Sequence, residues 1–336
     1  MANAGEYNWA EKRVLVTGGA GFLGSALVWA LSQRGCGQIV VVDFAPTPAK
    51  KRNLEPLRFE SFIEPEELLR EAAAGYLKHF DVVFHLGACS STTETNAEYL
   101  RRNNYEYTRT LAAEALMADA RFVYASSAAT YGNGSAGMDD RSNESLEKLK
   151  PLNLYGESKQ MFDLEAYRKG WLKRIVGLKY FNVFGPNEDH KGDMRSVVNK
   201  SYAQIRETGV MRLFKSYRPE FADGEQKRDF LYVKDAMEMT LFLAANSKVN
   251  GLFNIGSGTA HSWNELADAV FAAMNLPKNV EYIEMPVEIR DKYQYFTQAN
   301  IAKLRDAGYV QQITSLNDAV EDYVTAFLAK GKTLGA

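Results

Sequence analysis

The sequence predicts an α/β fold, a doubly wound parallel sheet of the Rossmann type with a smaller, interleaved α/β lobe. Three observations predict it. Short β-branched runs alternate with longer amphipathic ones, a glycine-rich turn joins the first run to the first amphipathic segment, and an acidic residue follows the second run.

Residues 14–17 read as a buried strand, because an unbroken apolar run bounded by turn residues marks a parallel strand covered on both faces. Residues 24–34 follow as a helix and 39–42 as a second strand, which completes a βαβ unit. The strand pattern returns at 81–85, 121–124 and 175–178, with helical segments at 97–118 and 158–173 between them. After Asn182 the texture changes, and Pro186, Gly192, Gly209, Pro219 and Gly224 break the chain into short pieces. Residues 230–233 and 252–255 restore the strand pattern, so the two lobes interleave. The expected division is 12–182 with 228–262 for the first lobe and 183–227 with 263–336 for the second.

A chain of 336 residues with 40 Lys and Arg against 42 Asp and Glu carries no overall basic field, which argues against a nucleic-acid partner. No run of about 18 apolar residues provides a membrane span, and residues 1–12 hold no signal-peptide-like stretch. A soluble, cytoplasmic protein with no membrane partner is expected. Cys36 and Cys89 read as free, buried thiols. His79, His85, His190 and His261 show no ligand spacing, so no metal is expected, and His85 at a strand end reads as a packed or hydrogen-bonded residue.

Thr17-Gly18-Gly19-Ala20-Gly21-Phe22-Leu23-Gly24-Ser25 stands between strand and helix, the context that a dinucleotide fingerprint requires. Gly18 permits the tight turn, Gly21 brings backbone near a pyrophosphate, and Gly24 lets the helix pack on the strand. Asp43, 19 residues after Gly24, is placed to accept hydrogen bonds from an adenosine ribose. Asp43 favours NAD, whereas Lys50, Lys51 and Arg52 form a basic cluster suited to the 2′-phosphate of NADP.

Ser126 and Ser127 follow a strand, and Tyr155 and Lys159, four residues apart, share one face of the next helix. A neighbouring ammonium favours the phenolate and lowers the Tyr pKa, while a serine hydroxyl holds the same substrate alcohol. That set suits removal of an alcohol proton as a hydride leaves to a nicotinamide. With 18 tyrosines, about one Tyr-x-x-x-Lys is expected by chance, so the order of the motifs along the chain carries the weight.

That order resembles the extended short-chain dehydrogenase/reductases over most of the chain. The segments 87–94, 124–132, 180–186, 190–192, 227–230 and 293–298 together resemble the family of ADP-L-glycero-D-manno-heptose 6-epimerases. The resemblance implies a tightly held NADP, with NAD as the alternative, and inversion at C6 of an ADP-heptose, a step towards bacterial lipopolysaccharide. It gives Tyr155 and Lys191 the two acid/base roles, Ser127 the substrate alcohol, and Lys159 the support of Tyr155 and the nicotinamide ribose. It adds Phe22, Leu23, Asp43, Phe44, Lys50, Leu86, Gly87, Ala88, Cys89, Ser90, Asn103 and Val183 as cofactor contacts. Asn182, Asp193, Lys200, Phe214, Arg228 and Tyr293 would face the nucleotide sugar. It also implies a homo-oligomer. Asp193, Lys200, Phe44 and a long 215–226 stretch depart from the family's usual residues.

Ala128 and Ala129 stand where a nucleotide-sugar 4,6-dehydratase usually carries an acidic pair, so elimination lacks its acid and base. A UDP-hexose 4-epimerase is the nearest alternative. From a different class, a non-catalytic NADP-binding regulator would have no need of Tyr155, Lys159 and Ser127 together.

Overall fold

The computed structural model describes residues 7–290 and 293–336, so half of the N-terminal stretch read for a signal peptide lies outside the described residues. The first lobe is built from β1 (Arg13–Thr17), α1 (Phe22–Gln33), β2 (Gln38–Val42), α2 (Pro48–Leu54), β3 (Ser61–Ile63), α3 (Pro65–Ala73) and β4 (Val82–His85). It continues with α4 (Ala97–Leu100), α5 (Tyr107–Met117), β5 (Arg121–Ser127), α6 (Leu154–Arg168) and β6 (Val176–Tyr180). Then come β7 (Asn182–Phe184), α7 (Val197–Thr208), β8 (Met211–Phe214), β9 (Lys227–Tyr232), α8 (Val233–Ala245), β10 (Gly251–Ile255), β11 (Ala260–Ser262), α9 (Trp263–Ala273) and β12 (Val280–Ile283).

Seven strands form one parallel sheet in the order β10-β6-β5-β4-β1-β2-β3. Alternate residues feed opposite cores. Val14, Val16, Ile39 and Val41 face the layer that holds α1 and α8, while Leu15, Val40, Val42 and Val83 face the layer of α3, α5 and α6. Burial on both faces is why these strands read as continuous apolar runs. The chain leaves β1 for β2 on one side and reaches β4 on the other, so a crevice opens beyond the carboxyl ends of β1 and β4, where ligands of such sheets sit.

The sequence pattern did not announce β3 and α3. β3 is a half-buried, three-residue edge strand, too short for a periodicity, and α3 starts on a proline with Glu66 and Glu67 in its first turn. The helix expected over 97–118 is present but passes through a π-helical turn, Arg101–Glu106, between α4 and α5.

Of the stretch 228–262, α8 and β10 join the large sheet's lobe. β9 and β11 instead lie with β7 in a three-stranded sheet, and β8 pairs with β12 in a two-stranded one. Among the described residues no helix is long and apolar enough to cross a membrane.

Candidate active site

The crevice is a cavity of about 580 Å³, and the ends of four strands supply its floor. At the end of β1 the backbone turns through Gly18 at φ +69°, and a Cβ there would lie 2.7 Å from the Gly87 backbone. A Cβ on Gly24 would lie 2.0 Å from the Gly18 carbonyl oxygen. Glycine at these two positions lets the α1 N-terminus approach both the turn and the loop after β4. Gly21 caps α1 without a side-chain hydrogen bond, so the first-turn N–H groups of Phe22, Leu23 and Gly24 face the cavity beside no competing cap. Such a cradle fits a dinucleotide pyrophosphate.

Asp43, buried at the end of β2, is already engaged. Its Oδ2 accepts from Ala20 N at 3.1 Å, and its Oδ1 accepts from Phe44 N at 2.9 Å and Lys50 Nζ at 2.9 Å. Phe44 and Lys50 line the cavity as well. The rest of the basic cluster points elsewhere, with Lys51 exposed and Arg52 donating to the Gly331 carbonyl at 3.1 Å. Leu86, Gly87, Ala88, Cys89, Ser90, Asn103 and Val183, expected as cofactor contacts, line the same cavity. Cys89 is a free thiol as expected but half-buried, because its loop forms the wall, while Cys36 is buried.

Ser127, Tyr155, Lys159 and Lys191, drawn from three separate segments, line this same cavity. Ser127 ends β5, where its Oγ accepts from Ala129 N at 3.1 Å and its hydroxyl hydrogen-bonds the Tyr155 phenol. Asn153 caps α6 by accepting from Gly156 N at 2.8 Å, which sets Tyr155 and Lys159 on the first turns of the helix. Lys159 is 5% exposed and donates to the Ala125 carbonyl at 2.9 Å. Burial pushes its pKa down to about 8 against the pull of Asp163. The expectation that Lys159 lowers the Tyr155 pKa is not met. Burial raises Tyr155, the Ser127 hydrogen bond offsets part of that rise, and the Lys159 ammonium is turned to the backbone.

Lys191 approaches from the loop after β7, with its ammonium 5.0 Å from the centre of the Phe22 ring. Burial lowers its pKa, Glu188 opposes that shift, and Lys200 adds to it.

The residues expected on the sugar side divide into groups. Arg228, 5% exposed, donates to the Lys227 carbonyl at 2.9 Å and lies 5.0 Å from the Tyr293 ring and 5.7 Å from that of Trp263. No carboxylate of the described residues pairs with it. Asp229 accepts instead from Ser257, Gly258 and Ala299, and Glu225 from Asn264. A buried guanidinium framed by aromatic rings is matched to a diphosphate. Phe214 stands edge-on to Tyr293 with ring centres 6.5 Å apart. Asn182 accepts from Thr297 Oγ1 at 3.3 Å, and Lys200 donates to the Asp193 carbonyl at 3.1 Å, both on the exposed rim. Apart from Ser127, none of these residues lines the cavity that Tyr155, Lys159 and Lys191 share.

Behind the site lie two buried networks, one around Asp163 that the sequence did not announce and one around His85, which is hydrogen-bonded at its strand end as expected. Asp163, on the turn after Lys159, accepts from Tyr124 at 2.8 Å, Ser126 at 2.7 Å and Lys179 at 2.8 Å. His85 bridges Thr17 at 2.7 Å and Thr108 at 2.8 Å. Since Thr108 donates onward to the Asn104 carbonyl, it accepts from Nε2–H, which leaves Nδ1 to accept from Thr17. Asn104, inside the π-helical turn, then clamps Cys89 through both its N–H and its carbonyl and donates to Ser158 at 3.0 Å. The strand-end position of His85 was the sole signal in the sequence. Among the described residues no group of His, Cys, Asp and Glu could hold a metal ion.

The NAD dependent epimerase/dehydratase family matches residues 14–256, a span that contains every residue lining this cavity. The chain belongs to that family. Within it, the chain is 52% identical over 316 residues, covering 94% of itself and 98% of the relative, to the ADP-L-glycero-D-manno-heptose-6-epimerase of Nitratidesulfovibrio vulgaris (strain Hildenborough). The enzyme of the same name from Fusobacterium nucleatum subsp. nucleatum is 44% identical over 330 residues, again covering 94% of this chain and 98% of the relative. The crystal structure of the Helicobacter pylori ADP-L-glycero-D-manno-heptose-6-epimerase has a TM-score of 0.81 at 28% identity, with 97% of this chain and 99% of that one covered. The named relatives are epimerases, hence isomerases, and the nicotinamide cofactor for which the family is named fits the glycine cradle described above.

Proposed function

We propose that this epimerase inverts C6 of the heptose in ADP-D-glycero-β-D-manno-heptose, giving the L-glycero epimer with no net redox change. Near-full-length identity to the two named relatives supports the reaction. One observation carries the mechanism, the convergence of Ser127, Tyr155, Lys159 and Lys191 on the cavity that contains the glycine cradle.

A nicotinamide held by the glycine cradle and Lys159 would supply the hydride acceptor and donor for C6. The residues of the chain handle the proton and the geometry. Tyr155 or Lys191 takes the C6 hydroxyl proton as the alcohol becomes an aldehyde. Rotation about C5–C6 then presents the other face of the carbonyl, and the oxygen points in a new direction. A single base cannot reach both orientations, so the second of the pair returns a proton to the new alcohol. Ser127 holds the oxygen, and Lys159 holds the nicotinamide ribose. Arg228 binds the diphosphate, with Phe214 and Tyr293 around the nucleotide and Asn182, Asp193 and Lys200 at the rim.

The cofactor in this reading is NADP. Lys50 supports it, because it neutralises Asp43 and so removes the negative charge that would reject a 2′-phosphate. The dinucleotide lies on the seven-stranded lobe and the sugar against the two small sheets. A homo-oligomer and a cytoplasmic location complete the reading. Sedimentation showing only monomer would remove the first of these.

The test is an NMR time course of the substrate with purified protein and no added cofactor, followed by denaturation and identification of released dinucleotide. Conversion with NADP released is expected. No conversion by dinucleotide-loaded protein would redirect the search to other nucleotide sugars, and release of NAD alone would overturn the cofactor assignment.

A further inference from the structure

Lys191 sits on an exposed-looking loop, yet the chain just before it is among the most tightly anchored in the molecule. Gly185, Pro186, Asn187 and Glu188 are all buried. Asn187, at φ 78°, donates to Ser25 Oγ at 3.0 Å and accepts from Leu334 N at 2.9 Å. Glu188 is fully buried, and its carboxylate gathers donors from two distant elements. Ser196 at the cap of α7 donates through N and Oγ, each at 2.5 Å, and Tyr323 of the C-terminal helical turn donates at 3.0 Å. Lys191 N then donates to the Glu188 carbonyl at 3.0 Å, so the lysine stands one tight turn from this anchor. Asn199 joins the far side of the loop by donating to Asp189 at 2.8 Å and to Tyr323 at 2.8 Å.

We infer that Glu188 is a positioning residue for Lys191, fixing the loop from which the lysine reaches the cavity and keeping a buried carboxylate within one turn of it. An acceptor-only carboxylate matches three O–H and N–H donors, and a neutral side chain there would forfeit both the fit and the charge. The ionisable groups facing Lys191 are Glu188 and His190 from its own loop and Lys200 from α7, and those facing Glu188 are Lys191 and Tyr323. Glu188 is the sole carboxylate in that set, since Tyr323 is a neutral phenol that donates to it. The C-terminal helical turn thereby becomes part of the active site without touching substrate.

The inference rests on Lys191 serving as the second acid/base, and the two are separable in one experiment on the cofactor-loaded enzyme. Glu188→Gln, Glu188→Asp, Tyr323→Phe and Lys191→Met are compared with the parent for kcat, KM, the pH profile of kcat, retained dinucleotide and thermal midpoint. Glu188→Gln is expected to lower kcat by about tenfold or more with KM altered less than about threefold, and to move the limb set by Lys191 to lower pH. Removing the anion leaves burial and Lys200 to favour the neutral amine, which fixes that direction. Glu188→Asp keeps the charge, so its kcat falls with the limb unmoved, and Tyr323→Phe loses a smaller share of kcat with cofactor content unchanged. An unshifted limb in Glu188→Gln overturns the inference. If that variant does not fold, parental kcat and pH profile in both Glu188→Asp and Tyr323→Phe overturn it instead. Full turnover by Lys191→Met would remove Lys191 itself, whereas an inactive Lys191→Met beside a parental Glu188→Gln would remove only Glu188.

Discussion

Tyr155 and Lys159 share a helix face but meet different fates. Burial raises the pKa of the phenol and Ser127 offsets part of that rise, whereas the ammonium is held by the Ala125 carbonyl and its pKa is lowered by burial to about 8. The lowered group is protonated below that value and loses its charge as pH rises through it. Turnover should therefore decline above about pH 8, by up to about tenfold per pH unit, and a flat profile between pH 8 and 10 would detach Lys159 from the reaction. Tyr155→Phe should lower kcat by about 10²–10⁴-fold while leaving dinucleotide bound, as absorbance of the released cofactor would report. These residues were legible because their order along the chain is distinctive. Their partners were not, since the acceptor for Lys159 is a backbone carbonyl on another strand, and Glu188 meets Tyr323 across 135 residues of sequence.

Strands buried on both faces announce themselves as apolar runs, which is why β1, β2, β4, β5, β6 and β10 could be read directly. β9 carried the same signal but pairs in the small sheet, because an apolar run reports burial and not the neighbour that provides it. The π-helical turn was invisible, as its sequence is that of an ordinary polar helix surface. Two elements hold the floor of the site together through a fully buried ion pair, Lys179 of β6 with Asp163 of α6, and Lys179 also donates to Thr130 at 2.6 Å. Removing one partner strands a charge. Lys179→Ala should cost about 3–5 kcal/mol in urea unfolding. At the cofactor turn, Gly24→Ala should lose dinucleotide and about 1–3 kcal/mol, because its Cβ has no room beside Gly18.

Across the whole molecule the candidate residues divide between the sheets, with the glycine cradle, Ser127, Tyr155 and Lys159 at the large sheet and the Arg228 cluster at the small ones. The first lobe also carries a buried proton switch in its scaffold. Burial and Lys159 lower the His85 pKa from 6.5 to about 3, and its ring is neutral between Thr17 and Thr108. The unfolded chain binds a proton below about pH 6.5 that the folded one refuses, so stability is lost as pH falls from there towards 3. His85→Gln should remove up to about one proton from the pH dependence of unfolding in that window, seen by comparing urea titrations at pH 7 and pH 5.

The central claim is transient oxidation at C6 with the hydride kept on the enzyme. Substrate deuterated at C6, turned over in ordinary water without added cofactor, tests it most directly. An L-glycero product that retains its deuterium at C6 is expected. Epimerisation with deuterium replaced by solvent hydrogen would contradict it and point to proton abstraction from carbon.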